Sequence, residues 1–243
     1  MRFSVFGAVP LLMASVSFST FSLSASAESF RDCPQFFPSR PPVVKNMPRL
    51  RELCFNEFAV LHSGETKTPL YVAQRLNARG LAAGANIKRK DKFYPEARLP
   101  MADRAQLDDY KRSGYSRGHM AAAGDMGTEQ GKAQSFSLAN MVPQDPKHNG
   151  GAWGLIEQDT RRYIRRADGD VFVITGPVFG ASSTQTIGQN RVRVPEAIFK
   201  LVYDPATGKS WVHWQENAAA TRVTPPISYA EFVRRTGLNF LGD

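Results

Sequence analysis

Cysteine and histidine are scarce in this chain, which has two of the first and four of the second in 243 residues. No C-x-x-C and no pair of histidines lies near the cysteines, so nothing there resembles a structural zinc site. Beyond residue 27 no run approaches the roughly 18 apolar residues that a membrane helix needs. Carboxylates are few, 22 against 31 lysines and arginines, which leaves a formal charge of +9. There is no internal repeat and no low-complexity segment. Strand and helix patterns alternate without βαβ order, which argues against a doubly wound parallel sheet. Neither a helix-turn-helix nor an aromatic-basic RNA motif is present, so little sequence specificity toward any nucleic acid is expected.

The amino-terminal residues carry the pattern of an export signal. Arg2 is followed by a largely apolar, small-residue run, and Ala25-Ser26-Ala27 forms an A-x-A cleavage site before Glu28. Residues 1–27 are therefore expected to be a signal peptide, and the product to be exported to the periplasm or the exterior. Setting aside Arg2 leaves +8 on the rest, which suits a polyanionic partner, nucleic acid being the commonest. A generally basic surface without a ligand is the other reading of that charge. Cys33 and Cys54 are an even pair in an exported chain and are expected to form one disulfide; two free buried thiols are the alternative. Residues 28–56 are Pro-rich and look irregular, and residues 57–243 have the length of one mixed domain.

The expected elements follow from periodicity. Residues 57–63 and 70–77 alternate as strands around the turn GETKTP and suggest a hairpin. Residues 78–114 form a long basic connection holding IKRKDK at 87–92, with a short helix expected over 103–110. Residues 135–144 look like a strand running into Pro143. Trp153, Ile156, Tyr163 and Ile164 fall at helical spacing and predict a helix over 151–169. Residues 170–179 are a buried strand, and 197–204 with 210–217 make a second hairpin. A closing helix over 228–238 starts with Ser228 and Glu231 in capping-box positions. The class is α+β, with a mixed or antiparallel sheet at its core.

Two motifs carry chemistry. The first is SRGHM, residues 116–120. Gly118 permits close approach, Arg117 offers a planar cationic fork for phosphate, and His119 can accept a proton near neutral pH. The second runs from Pro143 to Arg161. With a helix starting near residue 150, Asn149 takes the N-cap position and shares a broad face with Glu157 and Arg161. An amide oxygen, a carboxylate and a guanidinium in a row can mount a hard cation and an anionic oxygen. The bland alternative is a capped helix with a solvated Glu157–Arg161 pair. His148 is expected to point away from Asn149 and to be peripheral.

Together the motifs resemble the two halves of a ββα-metal site of the DNA/RNA non-specific endonuclease family. The matching positions are Arg117-Gly118-His119, then Pro143, Gln144, Asn149, Gly151, Trp153, Ile156, Glu157 and Arg161. The flanks PLYVAQRL, FVITGPVF, VPEAIFKLVYD and RRTGL are also similar, so the resemblance spans about residues 55–240. It implies a metal-dependent endonuclease acting on DNA and RNA. In that scheme His119 is the general base, and Asn149 is the direct ligand of a Mg²⁺ ion, with Mn²⁺ a possible substitute. Glu157 holds water around the ion, Arg117 and Arg161 stabilise the phosphate, Asn140 orients the base or a water, and Arg89 is a phosphate contact. It leaves open a homodimer and an inhibitor protein. One position departs from the pattern: Ser116 stands where the family more usually has aspartate, which removes a charge beside the motif. A fold of this kind that binds nucleic acid without cutting it, or a phosphatase of small esters, are the competing readings. A histidine base of ordinary pKa would make the rate change between about pH 5 and 8.

Overall fold

The computed structural model describes Met1 and residues 29–42, 44, 47–180 and 184–242. The expected signal peptide, except for Met1, lies outside the described residues. In chain order the strands are β1 (Leu50–Cys54), β2 (Ala59–Ser63), β3 (Thr68–Leu76), β4 (Ser116–His119), β5 (Met141–Gln144), β6 (Val171–Val178), β7 (Thr186–Ile187), β8 (Val192–Arg193), β9 (Ala197–Asp204) and β10 (Lys209–Glu216). The helices are α1 (Ala78–Gly84), α2 (Leu107–Tyr110), α3 (Glu129–Gln134), α4 (Pro146–His148), α5 (Gly154–Ile164) and α6 (Tyr229–Thr236).

Six strands pair antiparallel in the order β1-β2-β3-β6-β9-β10. The long central strands are rich in Val, Ile, Leu and Phe because both faces are covered. Alternation sorts their side chains. Tyr71, Ala73, Ile174, Phe199, Leu201 and Val212 pack on one face with Phe36, Phe37, Phe232 and Phe240, which come from the amino-terminal segment, α6 and the chain end. Val60, Val72 and Ile198 pack on the other face with Met120, Val142, Trp153 and Ile156.

That second layer is the unit that positions the site. β4 and β5 pair antiparallel, with Ser116 opposite Gln144 and His119 opposite Met141, and the chain then enters the α4–α5 helical stretch. The result is a ββα unit laid on a six-stranded antiparallel sheet, which is the expected α+β class.

Several boundaries differ from the sequence reading. Residues 28–56 are not irregular throughout: Leu50–Cys54 form the edge strand, and Cys33 and Cys54 are joined by a disulfide with Cα atoms 5.9 Å apart. The expected helix at 103–110 is a 3₁₀ turn at Met101–Asp103 followed by α2. Of residues 135–144 only the last four are strand; Leu138–Asn140 make a 3₁₀ turn. The helix expected at 151–169 starts earlier and ends at Ile164. Asp145 is its cap and accepts from the amides of Lys147 and His148, and Pro146 occupies the first turn, where its missing N–H costs nothing. In α6, Ser228 caps the Glu231 amide as expected, but the Glu231 carboxylate turns away to Arg234 and Arg235, so the reciprocal half of the box is not made. Two cations offer the carboxylate more than one backbone amide does.

Candidate active site

Asn149 is not an N-cap. It sits inside the helical stretch, where Asn149–Trp153 form a π turn that leaves α geometry at Gly151 (φ −101°, ψ −106°). A π turn breaks the regular four-residue spacing on which the shared face of Asn149, Glu157 and Arg161 was expected. Asn149 lines a cleft of about 570 Å³ with Arg89, Phe93, Tyr115, Ser116 and Arg117. Its side-chain amide makes no hydrogen bond to any described residue. Trp153 is buried and locks the turn against the sheet.

Gly118 is required, though for a different reason than expected. A Cβ there would lie 2.6 Å from the Gln144 Cβ, so what approaches is a neighbouring side chain rather than substrate. Gln144 in turn bonds His148 Nδ1 through its Nε2 at 3.1 Å. His148 is thus peripheral to the cleft, as expected, though it is not a surface residue. It is buried behind the helix start, tying β5 to α4, and does not line the cleft.

His119 stands at the end of β4 in an aromatic slot. Its ring meets Phe136 edge-on at 5.0 Å and Phe93 at 5.7 Å. Nε2 is shielded from solvent with no hydrogen-bond partner among the described residues. Burial, then the Arg89 guanidinium, push the imidazole pKa down to about 3; Asp91 opposes them and Arg117 adds a smaller push downward. The ring is thus neutral at physiological pH. It also follows that a rate change between pH 5 and 8 would not identify this residue, contrary to the expectation for an ordinary histidine.

Arg117 stacks on Phe93 with its guanidinium carbon 4.1 Å from the ring centroid. Arg89 lies over Phe136 at 5.4 Å and pairs with Asp91 at 2.5 Å. The two arginines and Asn149 share the cleft. Arg161 does not line it: its Nη1 is held by Asp125 at 2.9 Å, in a largely buried pair. The i,i+4 pair with Glu157 is not made, because Asp125 presents a better-placed carboxylate. Asn140 is fully buried. Its amide nitrogen donates to the Ala121 and Ser135 carbonyls at 2.9 and 2.8 Å, and its oxygen accepts from the Ala121 amide at 2.9 Å. It therefore reaches His119 only through the backbone that follows it.

Glu157 is partly buried and faces the charges of Lys200, Asp125, Arg161 and Arg89. Burial pushes its carboxyl pKa up, and Lys200 opposes that. Lys200 on β9 is buried, donates to Thr175 Oγ1 at 2.8 Å directly across the sheet, and lies 5.2 Å from the Trp153 ring centroid. Asp125 and Lys200 escaped the sequence reading. Asp125 is the single carboxylate in an Ala- and Gly-rich stretch, which is a signal; Lys200 interrupts an apolar strand, AIFKLVYD, which is another.

Among the described residues no group of three or more His, Cys, Asp or Glu could form a metal cage. A cation that keeps most of its water and takes one amide oxygen fits the free Asn149 side chain.

The fold and this site define a ββα unit with two arginines and an asparagine lining a cleft and a histidine packed behind its Phe93 wall. A family model for DNA/RNA non-specific endonucleases matches residues 43–241, and the chain belongs to that family. It is 37% identical over 146 residues to zebrafish (Danio rerio) mitochondrial nuclease EXOG, covering 56% of this chain and 42% of that protein. It is 30% identical over 167 residues to a nuclease of Nostoc sp., covering 68% of this chain and 58% of that one. The chain thus spans about half the length of these relatives. Its structure superposes on a chain from a crystal structure of the EndoG/EndoGI complex with a TM-score of 0.74 and 26% identity, covering 89% and 93% of the two chains.

Proposed function

We propose that this protein is a divalent-metal-dependent endonuclease that hydrolyses phosphodiester bonds of DNA and RNA after export from the cytoplasm. The observation that carries the reading is His119: a neutral imidazole with an unpartnered, shielded nitrogen, set beside a cleft lined by Arg89, Arg117 and Asn149. Export rests on the pattern of residues 1–27, and Mg²⁺ on the chemistry of one amide donor, with Mn²⁺ a workable substitute.

In this reading Arg117 and Arg89 hold the phosphate, each braced on an aromatic ring so that little side-chain freedom is lost on binding. A phosphate seated there offsets the two positive charges that depress the His119 pKa. The base is thereby strengthened when substrate is present, and it takes the proton of the attacking water. Asn149 would hold the metal and Glu157 would order water around it. The ion, when bound, supplies neutralisation of the charge that develops on the phosphate. Asp125 fixes Arg161, Lys200 balances Glu157, and Asn140 fixes the backbone after His119. Phosphate contacts carry no base information, so cleavage is expected to show little sequence preference.

Ser116 favours a second reading, a protein that holds nucleic acid without cutting it. It lines the cleft without a charge, and its hydroxyl bonds no described residue. Nicking of supercoiled plasmid by metal-free protein, with and without added Mg²⁺ and beside His119→Ala, separates the two. Mg²⁺-dependent nicking that the variant loses supports the endonuclease. Binding without nicking in either Mg²⁺ or Mn²⁺ supports the second reading.

A further inference from the structure

The loop that delivers Arg89 to the active-site cleft has another side. Lys88, Lys90 and Lys92 line a separate cleft of about 700 Å³, together with Tyr94, Lys132 and Phe136. The residues thus alternate, with Arg89 in one cleft and its even-numbered neighbours in the other. The three lysines are exposed and make no ion pair with any described carboxylate; Glu129 is the single acidic group lining the same cleft. Lys132 is spent differently. Its ammonium donates to the Gly84 and Ile87 carbonyls at 3.1 and 2.8 Å and pins the start of the loop. Phe136 is the partition between the clefts. It helps line the lysine cleft, carries Arg89 above its ring, and meets His119 with its centroid 5.0 Å away.

We infer that the lysine cleft is a second nucleic-acid subsite, which carries the strand flanking the phosphate held at Arg89 and Arg117. This rests on the endonuclease reading and deepens it. Three unpaired ammonium groups beside the half-buried Tyr94 combine the two features that track a single strand, phosphate neutralisation and an aromatic ring for a base, while Phe136 is buried and serves only as the wall. A small phosphate ester fills the active-site cleft without reaching past Phe136. A polynucleotide held at Arg89 has to continue past one wall or another, and this wall has cations behind it.

The test is the variant Lys88→Gln/Lys90→Gln/Lys92→Gln in the full exported chain, compared with wild type on a 30-nucleotide single strand and on bis(p-nitrophenyl) phosphate. On the oligonucleotide kcat/KM is expected to fall about tenfold near 0.1 M salt. The slope of log affinity against log salt, measured by anisotropy without metal, is expected to become shallower by about 2, the value for three lost contacts to a single strand. Cleavage of the small ester is expected to be unchanged. An unchanged slope and an unchanged kcat/KM on the oligonucleotide would overturn the inference and leave the cleft to an acidic protein. An equal loss on both substrates would also overturn it, by showing that the lysines act on the site itself. If wild type cuts neither substrate, the endonuclease reading fails, and the salt slope alone decides whether the cleft holds nucleic acid.

Discussion

The two faces of the central sheet are made by the same strands and are built on opposite terms. On one face Tyr71, Ala73, Ile174, Phe199, Leu201 and Val212 meet phenylalanines from the amino-terminal segment, α6 and the chain end. On the other, residues one step along the same strands include Gln74, Thr175 and Lys200, all buried, under the ββα unit. The first face gains stability from aromatic burial and from a disulfide. The second gives up some of that gain to hold charge, because a buried ammonium costs free energy unless it is balanced. The difference teaches where to look: polar residues buried in a sheet otherwise made of Val, Ile and Phe sit behind the candidate site.

The sharpest way to break this comparison is at His119. His119→Ala is expected to lower plasmid nicking by about 10²–10⁴, with the circular dichroism spectrum and thermal midpoint close to wild type. A variant that nicks at wild-type rate would remove the chemistry from this face.

On the opposite face the expected effect is on stability alone. The Cys33–Cys54 disulfide closes a separation of 21 residues. Replacing both cysteines with serine is expected to cost about 3 kcal/mol in urea unfolding, with nicking at 25 °C retained. Lost nicking in a protein that remains folded would show that the two faces are coupled.

Lys200 sharpens the contrast further. In the proposed mechanism Glu157 acts ionised, and burial raises its pKa while Lys200 lowers it. The carboxylate is therefore lost as pH falls through that raised value, and in that mechanism an acid limb of kcat/KM between pH 5 and 8 is expected to report Glu157 rather than His119. Lys200→Met removes the opposing charge, so the limb is expected to move to higher pH by about one unit. Stability is expected to fall in urea unfolding, because removing one partner leaves the Glu157 carboxylate and the buried Thr175 hydroxyl without the ammonium that faced them. A limb that does not move would reduce Lys200 to a packing residue. The smallest effect is expected at the Ser228 cap of α6, where Ser228→Ala should cost about 1 kcal/mol of stability and leave the pH profile unchanged.

Much of the site was legible because its motifs are local. Arg117, Gly118 and His119 are adjacent, and a strand places alternate side chains whatever surrounds it. The hairpins at 59–76 and 197–216 were legible for the same reason, since period-two alternation and turn residues are properties of short stretches. The helix start was misread because Asp145-Pro146 is a start signal of its own, and because a π turn leaves no mark on hydrophobic spacing. β1 was missed because Leu50–Cys54 is short and only its pairing with β2 makes it a strand.

The amino-acid sequence by itself determined the α+β class, the family, the pairing of the only two cysteines and the two motifs that meet in the ββα unit. Those depend on residue type and near spacing. Only the tertiary structure decided which carboxylate Arg161 holds, what Gly118 makes room for, how far the His119 pKa is depressed, and that Lys200 lies beneath Trp153 within electrostatic reach of Glu157. Each of these joins residues far apart in the chain, such as Asp125 and Arg161, which are 36 positions apart. Their energies depend on distance and on exclusion of water, and neither exists until the sheet and its two layers have closed.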